Sequence, residues 1–204
     1  GALVLINFCT QLAVDLIFSF YSHKFNIAAT VKLTPALTAL GLFVYAVFPL
    51  LFPNMVYVGL VVGTVIFAAS GGLVEVLISP VIAALPSEHP EREMSKLHSV
   101  YAWGVVGVVI VNTLLLSVLG KERWQWIPLA WTAVPCLSCF LFLKSKIPSL
   151  ATPEKASNVF SLLRQKDFII SFLCIFLGGA SECTMSQWSS SYLEQALGIP
   201  KVWG

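Results

Sequence analysis

Charge is scarce in this sequence. Lys, Arg, Asp and Glu make up 11% of its 204 residues against 57% hydrophobic ones, and the mean hydropathy is +0.86. A chain with so little polar surface cannot cover itself in water, which excludes an ordinary soluble domain. The scarcity is uneven: from Leu33 to Pro86 there is no Lys or Arg, and Glu75 is the single acid. Stretches of that kind fit lipid. A net charge of +2 and a pI near 8.3, with the basic residues scattered, offer no surface for nucleic acid. Also missing are a phosphate-cradling glycine loop, a GxSxG turn, an HExxH helix and paired zinc-ligand spacings. An enzyme or an ATP-driven pump would have to carry its chemistry elsewhere, so no enzymatic activity and no cofactor is expected.

Two features invite a metal or redox reading. Cys136 and Cys139 form a CxxC, but it lies in an apolar segment without a second pair. Like Cys9, Cys174 and Cys183, these thiols are expected to pack as small hydrophobes. The stretch from Ser87 to His98 holds Glu88, His89, Glu91, Glu93 and His98 without a fixed ligand spacing, so a solvated loop is expected.

A bilayer core takes about 20 apolar residues as helix. Six segments meet that length: residues 1–20, 33–52, 56–85, 99–119, 125–144 and 168–192. The first has no basic leader and no cleavage site, so it is not read as a signal peptide. Basic residues divide unequally between the loops. Lys24, Lys32, Arg92, Lys96, Lys144, Lys146, Lys155, Arg164 and Lys166 fall on one side, and Lys121, Arg123 and Lys201 on the other. Cytoplasmic loops retain Lys and Arg, so the first side is expected to be cytoplasmic and both ends to face outward. The opening in an apolar segment at Gly1 leads to the expectation of a fragment with an earlier span. Residues 1–144 then form most of an N-terminal bundle in five spans, 145–167 a cytoplasmic linker containing Pro148 and Pro153, and 168–204 the first span of a C-terminal bundle. The fold class expected is all-α, an incomplete polytopic transmembrane bundle laid out like a two-bundle transporter.

Ionisable groups inside a membrane span are costly and are functional candidates by default. Glu75 stands in Ser70-Gly71-Gly72-Leu73-Val74-Glu75-Val76-Leu77-Ile78-Ser79-Pro80, about ten residues from the cytoplasmic end of its segment and so near mid-depth. The glycines allow close approach of a helix or a solute, and Pro80 frees the carbonyl of Val76. A carboxylate there can bind sugar hydroxyls or accept a proton; packing against a neighbouring helix is the plainer alternative. Glu182 lies in a run of small and hydrogen-bonding residues, Gly178 to Ser189, in which Gln187 and Trp188 offer an amide and an aromatic platform. That run is equally readable as the interfacial end of a helix, where Trp is common. Asn7, Gln11 and Asp15 are spaced by four and share one helical face, a polar stripe expected to face the bundle interior. Asp15, nearer the cytoplasmic end, is read as a latch to the basic turn containing His23 and Lys24, or as a partly hydrated helix end.

Three stretches carry a family pattern: Ser22-His23-Lys24-Phe25-Asn26 after Asp15 and the first span, Gly71-Gly72-Leu73-Val74-Glu75 with Ser79-Pro80, and Met94-Ser95-Lys96-Leu97-His98-Ser99-Val100-Tyr101-Ala102-Trp103-Gly104. Together they resemble the major facilitator superfamily, most closely its fucose permease type of sugar:proton symporters. The resemblance covers essentially the whole chain, as family helices two to seven. It implies that the turn at His23 and Lys24 is the superfamily's gating loop, although His23 stands where an Asp belongs and the glycines are missing. It also implies that Glu75 takes part in substrate and proton binding. The expected protein is a proton-coupled symporter of a sugar or other small polar solute, working by alternating access in a bacterial plasma membrane. Its partners are the solute, protons and the lipid bilayer, and it needs no metal. Glu75, Glu182, Gln187, Trp188, Asn7 and Gln11 are the candidate ligands, and Asp15, His23 and Lys24 the gating group. Efflux of a drug or metabolite by the same fold, and a membrane receptor that transports nothing, are the alternatives.

Overall fold

A computed structural model of the chain describes residues 1–148, 150 and 159–199. All regular structure among them is helical: α1 (Ala2–Tyr21), α2 (Ile27–Leu51), α3 (Val56–Ala83), α4 (Pro90–Leu119), α5 (Trp126–Trp131), α6 (Ala133–Lys144), α7 (Val159–Leu162) and α8 (Lys166–Leu197). Six segments are long and apolar enough to cross a membrane, with α5 and α6 together making one of them. These properties are those of a multi-pass membrane protein. The chain divides into two compact units, within residues 1–156 and 157–204. Residues 149 and 151–158 of the expected linker, with Pro153 and Lys155, lie outside the described residues, as does Lys201.

Three boundaries differ from the hydropathy segments, each for a local reason. α2 begins at Ile27 rather than residue 33, because the Asn26 side chain accepts a hydrogen bond from the Ala29 N–H at 3.0 Å and caps the helix. α4 begins at Pro90 rather than residue 99. Proline suits the first helical position, and Glu91 and Glu93 suit the positive end of the helix dipole. Glu93 also pairs with Lys96 at 2.7 Å. The fifth span is divided at Thr132, three residues before Pro135, which lacks the N–H that would reach the Trp131 carbonyl; Pro128 sits in the first turn of α5, where no ladder bond is lost. The Thr132 hydroxyl donates to the Pro128 carbonyl at 3.0 Å. α8 runs unbroken from Lys166 and ends at Gly198, whose φ of 67° places it in the left-handed region that glycine tolerates.

In the first unit α3 packs against both α2 and α1. A core of Phe18, Ile27, Val31, Leu77 and Val81 joins the three helices, with Phe142, Ile147 and Leu150 packed on it. α2 and α3 approach closely at Gly63, where an added Cβ would fall 2.7 Å from the Tyr45 Cα. A buried hydroxyl cluster fastens the same pair. The Ser70 hydroxyl donates to the Thr34 carbonyl at 2.6 Å and lies 2.7 Å from the Thr38 hydroxyl. Pro35 removes the donor that would reach the Val31 carbonyl, and the Thr34 hydroxyl takes its place at 2.9 Å. Lipid supplies no alternative partner, so such groups must be satisfied within the protein. Ser70→Ala, which deletes the α2–α3 link, is expected to destabilise the first unit by about 0.5–1.5 kcal/mol, measurable as easier unfolding in bicelles.

Candidate functional site

The polar stripe of α1 lies across the double glycine of α3. A Cβ added at Gly71 would meet Gln11 Nε2 at 2.8 Å; one added at Gly72 would meet Asp15 Oδ1 at 2.9 Å and the Gln11 carbonyl oxygen at 3.0 Å. The two helices therefore meet almost backbone to backbone, and this contact carries Gln11 and Asp15 onto α3. Asp15 Oδ1 is sealed from solvent and has no hydrogen-bond partner among the described residues. Glu75 lies three residues beyond Gly72, about one turn further along α3. Its side chain is exposed on the surface of the first unit. Eight residues separate it from Ala83 at the end of α3, a rise of about 12 Å.

No cation balances this pair: among the described residues the salt bridge of Glu93 with Lys96 involves neither acid. Two carboxyls and an amide with no base can receive a proton, a cation or the hydroxyl hydrogens of a polyol. Asn7, two turns from Asp15 on the α1 stripe, is half-buried. Asp15 is thus held against Gly72. His23 and Lys24 form a short turn after α1, His23 exposed and the Lys24 ammonium 5.0 Å from the Tyr21 ring centroid.

In the second unit Glu182, Gln187 and Trp188 are exposed on α8. The helix is continuous through them, so a spacing of five places Glu182 and Gln187 about 140° apart around the axis, and Trp188 about 120° from Glu182 on the other side. The three fan out instead of converging. Ser181 and Thr184 turn their hydroxyls back to the carbonyls of Leu177 and Ala180. The five cysteines are free, Cys136 exposed and Cys139 half-buried. Among the described residues no three His, Cys, Asp or Glu side chains gather as a metal site.

Ser70, Thr34 and Thr38, next to Gly71, were not among the expected residues. Their signal is a threonine pair spaced by four in the apolar run from Leu33, facing a serine that precedes the double glycine. Compared with protein-family models, with curated proteins and with solved structures, the chain finds no match.

Proposed function

We propose that this chain belongs to a secondary active transporter of the major facilitator type that carries a sugar or another small polar solute together with protons, without enzymatic chemistry, in a bacterial plasma membrane. The seam of α1 and α3 carries the reading: Gln11 and Asp15 set against Gly71 and Gly72, with Glu75 one turn further along α3 and, among the described residues, no ion pair to either acid. A purely packing role would leave the cost of two uncompensated acids unexplained. The resemblance of Gly71 to Pro80 and of the turn after α1 to symporters of the fucose permease type supports the same reading, as does the order of five spans, a polar stretch and a further span. In this scheme Glu75 receives the proton and a solute hydroxyl, and Gln11 and Asn7 extend the polar wall; Glu182, Gln187 and Trp188 are candidate ligands of α8 in its own unit. Asp15, His23 and Lys24 govern the closing of the cytoplasmic side, and two bundles rock about the centre.

The test is uptake of a panel of labelled neutral hexoses by the protein in proteoliposomes, with and without an inward proton gradient. Accumulation driven by the gradient is the expected result. Extrusion of labelled amphiphiles without sugar uptake would replace the reading with efflux, and stoichiometric sugar binding without flux would replace it with a receptor.

A further inference from the structure

The first unit holds a cavity of about 580 Å³ that the transport reading does not use. It lies between the second half of α2, the second half of α4, and α5 with the start of α6. Its size falls in the range of roughly 300–1,000 Å³ typical of small-molecule sites. Leu42, Tyr45, Asn112, Trp124, Pro128 and Trp131 are among the residues that line it, and among the described residues no Asp, Glu, Lys, Arg or His does. A charged ligand would leave water here without a counter-ion, so the cavity suits an uncharged one. Its aromatic wall is held in place from two sides. The Tyr45 ring meets Trp124 edge to face with centroids 6.0 Å apart, and meets Phe67 of α3 in the same manner at 5.9 Å. Rings fixed in this way favour a flat aromatic body between them.

The hydrogen-bonding groups of the lining narrow the ligand further. Trp131 Nε1–H donates to Asn112 Oδ1 at 2.6 Å. An indole can only donate, so this bond fixes the amide with its oxygen toward Trp131 and leaves the Asn112 NH₂ as the group still to be matched. That NH₂, the Trp124 indole N–H and the Tyr45 hydroxyl have no hydrogen-bond partner among the described residues. Two of the three can only donate, so what the lining lacks is an acceptor. A carbonyl oxygen on an otherwise apolar molecule supplies one without bringing a donor that the walls would leave unpaired. A hexose carries donors around its whole rim and would leave most of its hydroxyls unpaired here, so the cavity is ill suited to the solute proposed above.

We propose that this cavity binds an uncharged, flat aromatic molecule bearing a carbonyl oxygen, its rings lying among Tyr45, Trp124 and Trp131 and its carbonyl accepting from the Asn112 amide. The inference is independent of what the protein transports. It is tested on the full chain in nanodiscs with tritiated fluorenone, and with tritiated fluorene as the same ring system without the carbonyl. Binding is read by scintillation proximity, and the signal of empty nanodiscs is subtracted to remove partition into lipid. Saturable binding of one molecule per chain is expected, with fluorenone favoured about three- to tenfold, the effect of one hydrogen bond. Asn112→Leu should bring fluorenone down to the level of fluorene while fluorene binding persists, which also shows that the cavity of the variant is intact. Leu42→Trp should fill the cavity and remove binding of both while the circular dichroism stays helical. Equal affinity of the unmodified protein for the two compounds overturns the proposal, as does fluorenone binding that survives Leu42→Trp. Binding no greater than that of empty nanodiscs, the result when an acyl chain or another helix occupies the cavity, overturns it as well.

Discussion

Gradient-driven uptake by Glu75→Gln is expected to fall by about 10- to 100-fold, while the protein stays folded and inserted. Gln keeps the shape of the side chain, but it cannot receive or release a proton or carry a charge, so the charge-assisted hydrogen bond is lost. A hydrogen bond to a charged group contributes about 1.5–3 kcal/mol, and its loss corresponds to that span of rates. The exposure of Glu75 is what makes a large functional effect and a small structural one compatible, because no neighbouring atoms depend on it for packing. Asp15→Asn is the informative companion. Asp15 is locked against Gly72 with one oxygen buried, so its replacement disturbs the seam itself. A loss of active accumulation with retained solute exchange in Glu75→Gln identifies the coupling step. Uptake unchanged at every pH removes Glu75 from the mechanism.

The parts of the fold that hydropathy reports were legible in the sequence. The six long apolar segments follow from the requirement that a chain crossing lipid satisfy its backbone internally. The polar turns from Ile27 to Lys32 and from Pro90 to His98 were not, because a window that measures apolarity stops where charge begins. Their helicity comes instead from the Asn26 cap and from Pro90 followed by two glutamates. The division of the fifth span was marked by Pro135 but is hidden from a count of apolar residues. At the site, the stripe of Asn7, Gln11 and Asp15 and the double glycine at 71 and 72 were each visible. Their meeting was not, since a helix crossing depends on three-dimensional packing rather than on spacing along either helix. Conversely, Glu182, Gln187 and Trp188 are neighbours in the sequence, yet the unbroken turn of α8 directs them three ways. Nearness along a helix brings side chains together only at spacings of three or four.

The two adjacent glycines of α3 should respond very differently to a side chain. At Gly71 an added Cβ meets the Gln11 amide nitrogen at 2.8 Å, and the next nearest atoms are 3.8 and 3.9 Å away, all in the same flexible side chain. That end can swing aside, so Gly71→Ala is expected to be nearly neutral. At Gly72 the obstacles include the Gln11 carbonyl oxygen at 3.0 Å and the Gln11 Cα at 3.2 Å, which are backbone and move only if α1 moves with them. Gly72→Ala is therefore expected to cost about 1–3 kcal/mol by overpacking, and Gly72→Leu more, read as a lowered unfolding midpoint of the purified protein. Because lipid gives apolar helices no reason of their own to associate, close backbone approach through small residues is a main source of such contacts. Parting α1 from α3 at this point also withdraws Asp15 from Glu75. A Gly72 variant should thus lose proton-driven uptake beyond what its lowered stability explains, whereas Gly71→Ala retains it. Equal tolerance at both positions would mean that α1 does not cross α3 at Gly72, and the two acids would no longer share a site.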